Sequence, residues 1–188
     1  MLIRSVTALS IAITFSCVAF AQTTYRPFTP KERLHWLAGQ NLTPTSLLEN
    51  VATAAEATLS NSPQEYGPHW EGFGKRVGMV TANYGVSTVM EAGLGSIWGE
   101  DPRYTRTQGE SLQRRLGHVV KMTFLARNRA GDTVPAYARL LAIPGSSFLA
   151  TTWMPDSQAT VDNAAVSTGL GFLGRMGANA FHEFRPHH

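Results

Sequence analysis

Apolar positions recur at helical spacing along most of this chain. Thr29-Pro30-Lys31-Glu32 reads as an N-cap, a proline at the first helical position and an acid in the first turn. That helix runs through Arg33-Leu34-His35-Trp36-Leu37 and stops near Gly39. Thr43-Pro44 repeats the start signal, and Leu47, Leu48, Val51, Ala54, Ala55, Thr58 and Leu59 follow on one face until Asn61-Ser62-Pro63. A long third helix is expected from Trp70 to Ile97, closed by Gly99-Glu100-Asp101-Pro102. Leu112, Leu116, Val119, Val120 and Phe124 form the next apolar stripe. Pro135 to Ala142 reads as a short helix ended before Pro144-Gly145, and Asp156 or Ser157 caps a last one from Ala159 to about Phe181.

The expected fold is therefore all-α, a single domain of five or six helices over residues 22–188. An α+β alternative stays open, because Val119 to Leu125 also reads as a strand. The turn Arg127-Asn128-Arg129-Ala130-Gly131-Asp132 would then make a hairpin around 119–143.

Residues 1–21 stand apart. Arg4, the apolar stretch Val6 to Phe20 and the small-x-small site Ala19-Phe20-Ala21 read as a secretory signal. An uncleaved N-terminal anchor is the alternative. Cleavage after Ala21 removes Cys17, the one cysteine, and with it disulfides, thiolate catalysis and Cys-ligated zinc. The expected location is periplasmic or outer envelope.

Charged residues make up only 15% of the chain, below the roughly 25% of an ordinary soluble domain. Thirteen of the 16 basic residues are arginine. Residues 101–139 hold eight basic groups against three acidic ones, a net of +5, between mildly acidic flanks. Arg103, Arg106, Arg114, Arg115, Lys121, Arg127 and Arg129 are accordingly expected to meet an anionic surface, either membrane or wall. Export and the lack of interleaved aromatics argue against nucleic acid.

Gly74, Gly78 and Ala82 fall four apart on the third helix, and Gly93, Gly95, Gly169, Gly171, Gly174 and Gly177 extend the pattern. A helical glycine costs about 1 kcal/mol relative to alanine, so close packing between helices is the expected compensation. Gly169-Leu170-Gly171-Phe172-Leu173-Gly174 matches GxGxxG literally but sits within a helical pattern, so no nucleotide is expected. His182-Glu183 lacks the second histidine of HExxH, position 186 being proline. No cofactor or metal is called for.

The candidate catalytic groups are Glu91, mid-helix among apolar neighbours, with Asp101 and His69. Glu91 would count towards an enzyme if it lay in a pocket beside a second carboxylate or a histidine. A salt bridge would count against it.

Three blocks carry a resemblance: Glu71-Gly72-Phe73-Gly74-Lys75-Arg76-Val77-Gly78, Glu100-Asp101-Pro102-Arg103-Tyr104 and Glu183-Phe184-Arg185-Pro186. Over residues 65–186 the chain resembles an uncharacterised family of exported bacterial proteins, common in acidobacteria, with FGKRxG and DPRY blocks. It departs from that pattern at Thr105 and Thr151-Thr152-Trp153, where relatives are aromatic-rich. The resemblance implies export and a shared fold, and no activity. The expectation is a non-enzymatic exported envelope protein that associates with itself or with membrane or wall components. The alternatives are a small integral membrane assembly packed through the glycine rows, and a hydrolase-type enzyme using carboxylate and histidine chemistry.

Overall fold

The computed structural model describes residues 25–107 and 111–185. The expected signal segment, residues 1–21, lies outside them. The fold is all-α, with helices α1 (Pro30–Leu42), α2 (Pro44–Leu59), α3 (Trp70–Trp98), α4 (Leu112–Phe124), α5 (Tyr137–Ala150) and α6 (Val161–Phe184). Strands β1 (Leu125–Arg127) and β2 (Thr133–Pro135) pair antiparallel as a small hairpin. Helix and hairpin readings of 119–143 are thus both present in part. The helix holds through Phe124, and the hairpin begins at the next residue.

Local chemistry sets the helix starts. Thr29 Oγ1 accepts from the Glu32 N–H at 3.2 Å while the Thr29 N–H donates to Glu32 Oε2 at 2.9 Å, a complete capping box. Thr43 caps α2 through Ser46 N–H. Gly99 ends α3 in the left-handed region at φ 73°. Several boundaries differ from the sequence expectation, and Pro135 lies in β2 while α5 begins at Tyr137. Helix α1 passes Gly39 and ends at Leu42, and Thr160 caps α6 in place of Asp156 or Ser157. Helix α5 runs through Pro144 to Ala150. The proline removes one helical hydrogen bond, but α5 packs closely against both flanking helices there. Met90 of α3 lies against Gly145, and Ile143 itself packs on Gly171 of α6.

Sidedness is the largest departure. In α2 the buried positions are Ser46, Asn50 and Ala54, whereas Leu47, Leu48, Val51 and Leu59 are exposed, Leu59 by 90%. The small polar face lets α2 lie close to α3, and Asn50 Nδ2 donates to Thr81 Oγ1 at 3.3 Å. In α4 the buried residues are Val119, Met122 and Thr123, leaving Leu112, Leu116, Val120 and Phe124 outside. The apolar core consists mostly of alanines, among them Ala92, Ala138, Ala142 and Ala150. Among the described residues the largest fully buried side chains are polar or charged: Arg76, Glu183 and Thr123.

The glycine expectation needs correcting. A Cβ at Gly74, Gly78, Gly93, Gly169, Gly174 or Gly177 would meet nothing within 4 Å, so these glycines mediate no close approach among the described residues. Close approach occurs at Gly72, Gly95, Gly145 and Gly171. At Gly72 a Cβ would collide with the carbonyl oxygens of Gly67 and Tyr66. One turn on, the buried Arg76 gathers the same loop, donating to Ser62 O at 2.8 Å, Gly67 O at 2.7 Å and Pro63 O at 2.7 Å. The Gly72–Arg76 part of the first sequence block is therefore a loop clamp.

These contacts set opposite outcomes for two glycines of α3. Gly72→Ala should destabilise by about 2 kcal/mol, in the range of core overpacking. Gly78→Ala should leave the melting temperature unchanged or raise it, since a helical Gly→Ala change gains up to about 1 kcal/mol where space is free. Thermal unfolding followed by circular dichroism measures both.

Candidate functional site

Helices α3, α5 and α6 each carry one charged residue into a shared interior. Glu91 of α3 is buried, and its Oε1 accepts from Arg139 Nε of α5 at 3.0 Å and from Arg175 Nη2 of α6 at 2.5 Å. Arg139 also donates to Met122 O at 2.9 Å, Thr123 O at 3.0 Å and Pro102 O at 3.4 Å. Burial, aided by the neighbouring Arg175 charge, pushes the Arg139 guanidinium down to about 10, while Glu91 opposes the shift. It stays charged at neutral pH. Arg175 stacks over Trp36 of α1 at 5.9 Å, and its Nε is buried without a hydrogen-bond partner.

A cavity of about 390 Å³ opens beside this cluster, between the same three helices. Glu91 and Arg175 line it, with Ser87 and Thr88 from α3, Ser146 and Ser147 from α5, and Ser167 and Leu170 from α6. The volume is within the range of small-molecule sites.

Two further carboxylates organise the surroundings. Glu100 is buried, and its Oε2 accepts from Ala138 N–H at 3.0 Å. It thereby supplies the cap that α5 lacks at Ala136. Burial raises its pKa, against the pull of the α5 backbone N–H groups. Glu183 near the end of α6 is fully buried and accepts from Thr107 Oγ1 at 2.6 Å, Arg115 Nε at 2.8 Å and Tyr104 Oη at 3.0 Å. Burial pushes this carboxyl up, but the hydrogen bonds from Thr107, Arg115 and Tyr104 together outweigh it and hold the pKa at about 2. Tyr104 and Glu183 belong to the second and third sequence blocks, which therefore meet in space.

The three candidate catalytic groups do not form a unit. Glu91 is salt-bridged twice, the arrangement that argues against an acid–base role. Asp101 is buried and ion-paired with Arg103 at 2.6 Å, with Tyr25 Oη donating to it at 2.9 Å. His69 is exposed at the N-cap of α3, and no hydrogen bond joins any two of the three. Several cations of the basic middle bond groups of the chain itself, although Arg103 and Arg129 remain exposed. Arg106 donates to the carbonyls of Glu183 and Arg185, Arg115 binds Glu183, Arg127 donates to Gly131 O and Arg129 to Ser96 O. Arg114 and Lys121 are exposed on α4. Sequence reasoning found Glu91 but missed Arg139, Arg175 and Glu183. The sequence signal for the two arginines was the excess of arginine over lysine, since the planar guanidinium serves several carbonyls and carboxylates at once, whereas Glu183 stood in the third block.

No known protein family, curated protein or solved structure matches this chain.

The Glu183 cluster makes stability depend on acid. A carboxyl held at about 2 in the folded chain and near 4.3 when unfolded stabilises the fold above about pH 4.3. That contribution is lost as pH falls through 2. Glu183→Gln should flatten the stability–pH curve between about pH 5 and 2. At pH 7 it should cost about 3 kcal/mol, because Arg115 loses its carboxylate partner. Urea unfolding across this pH range tests both effects.

Proposed function

We propose that this is an exported cell-envelope protein acting as a non-enzymatic interaction domain at an anionic membrane surface. The observation that carries the reading is the outward stripe of α4, where Leu112, Leu116 and Val120 are exposed on successive turns. Arg114 and Lys121 stand on the same helix, and α4 contains no acidic residue. An apolar stripe with basic neighbours is the composition of a helix lying in a lipid interface. Apolar exposure on the other helices supports this, from Leu34 on α1 to Ile97 on α3 and Leu173 on α6. A fluid apolar phase covers many faces together, whereas a standard protein contact covers about 800 Å² of one face.

Among the described residues no helix is long and apolar enough to cross a membrane, so immersion in the interface is the form the proposal takes. The carboxylates a hydrolase would use are held by arginines, which favours the non-enzymatic reading. Export rests on the signal-like residues 1–21 and the resemblance to an exported family.

Vesicle flotation tests the proposal. The mature chain should float with phosphatidylglycerol vesicles, less with phosphatidylcholine, and less at high salt. Leu116→Asp should weaken binding by about tenfold, as expected for the lost burial of one large apolar side chain. A chain that stays at the bottom of the gradient and elutes as a discrete oligomer without lipid would replace this reading with self-association. Export predicts that the protein isolated from its native cell begins at Gln22.

A further inference from the structure

The charges around the inner end of the cavity balance. Glu91 Oε1 is shared by Arg139 and Arg175, and the buried Glu100 also acts on Arg139, so two carboxylates stand against two guanidinium groups. Glu49 adds a further carboxylate to the lining, but it is exposed, where water screens it. An anion entering the cavity would meet Glu91 and Glu49, and a cation would meet Arg175. The wall therefore favours an uncharged occupant.

Both members of the inner ion pair keep an unused polar atom. Among the described residues Glu91 Oε2 and Arg175 Nη1 join no hydrogen bond, and neither is one of the two side-chain polar atoms buried without a partner. Each thus keeps accessible surface, unlike the sealed Arg175 Nε. The Glu91 side chain is only 9% exposed, and both residues line the cavity. An acceptor and a donor stand there side by side.

The same alternation continues along the wall. Ser146 Oγ and Ser147 Oγ each donate to Ile143 O at 3.0 Å, so towards the cavity they accept. Asn83 Oδ1 accepts from Trp153 Nε1 at 3.0 Å, which leaves Asn83 Nδ2 as a donor. Glu91 and Asn83 are eight residues apart on α3, about 12 Å at 1.5 Å per residue. Hydroxyl groups answer such a wall, because each one both donates and accepts. Ile143, Leu170 and Met154 supply apolar surface between the polar groups of the lining.

We propose that this cavity binds an uncharged sugar of two rings. One ring lies at the Glu91–Arg175 pair, donating to Glu91 Oε2 and accepting from Arg175 Nη1, and the second reaches towards Asn83.

Calorimetric titration of the purified chain with cellobiose and with N,N′-diacetylchitobiose tests this. At least one should bind one per chain, and about tenfold more tightly than the corresponding single ring. Cellobiouronate, which is anionic, and deacetylated chitobiose in its protonated form should each bind at least about tenfold more weakly than the neutral parent. A tetrasaccharide of the better binder separates two sources of such a ligand, with equal or tighter binding marking the end of a longer glycan and weaker binding a free disaccharide. Replacing Ser146 and Ser147 together by alanine should weaken binding by about tenfold without touching the ion pairs. Ser87 lines the cavity and makes no hydrogen bond among the described residues, so Ser87→Leu fills the space, leaves the cluster intact and should abolish binding. No binding of either disaccharide up to about 10 mM, a charged analogue as tight as its neutral parent, or undiminished binding by Ser87→Leu would overturn the assignment. Disaccharide binding by a chain that fails to float with vesicles would leave this inference standing and remove the membrane proposal.

Discussion

The arrangement of the helices depends on one guanidinium group. Arg139 joins Glu91 of α3, the C-terminal carbonyls of α4 and the carbonyl of Pro102, while Arg175 of α6 shares the Glu91 oxygen. Only a planar, multiply donating cation reaches so many acceptors from a single side chain. A charge this deeply buried is stabilised solely by its partners, so the cluster constrains how α3, α5 and α6 meet. The same device recurs outward. Arg76 clamps the loop before α3, Arg33 donates to the carbonyls of Ala92 and Glu100 at the end of α3, and Arg115 holds Glu183.

Interior arginines and carboxylates explain why small residues fill the rest of the core. Helices bridged by hydrogen bonds must lie close, and alanine, serine and asparagine allow it. Large apolar residues are correspondingly displaced to the surface of every helix. In water alone that distribution forfeits much of the usual burial free energy. In contact with an apolar phase it becomes favourable, and this links the packing to the proposed place of action. The open glycines on α3 and α6 belong to the same exterior.

Much of the secondary structure was legible in the sequence because its signals are local. Thr29, Thr43 and Gly99 act within one helical turn, and the caps stand where the pattern placed them. Helix α5 was misread at Pro144, where tertiary packing overrides a local penalty. The orientation of α2 and α4 was misread for a different reason. Periodicity identifies an apolar face but does not say whether that face turns inward: α2 buries Ser46, Asn50 and Ala54, and α4 buries Val119, Met122 and Thr123 while most of its stripe stays outside. The site was half legible. Glu91 stood out as a charge in an apolar stretch, but Arg139 and Arg175 lie 48 and 84 positions away. No spacing rule connects them. The Asp101–Arg103 pair, two residues apart, was within reach of local reasoning.

The central claim is that the buried Glu91–Arg139 pair holds the helices together. A double-mutant cycle in urea unfolding tests it with Glu91→Gln, Arg139→Met and the combined variant. Each single change should cost about 3 to 5 kcal/mol, because each leaves an uncompensated buried charge. The double variant should lose clearly less than the sum, with a coupling of at least about 1.5 kcal/mol. Additive losses, or a Glu91→Gln chain as stable as the parent, would contradict the account.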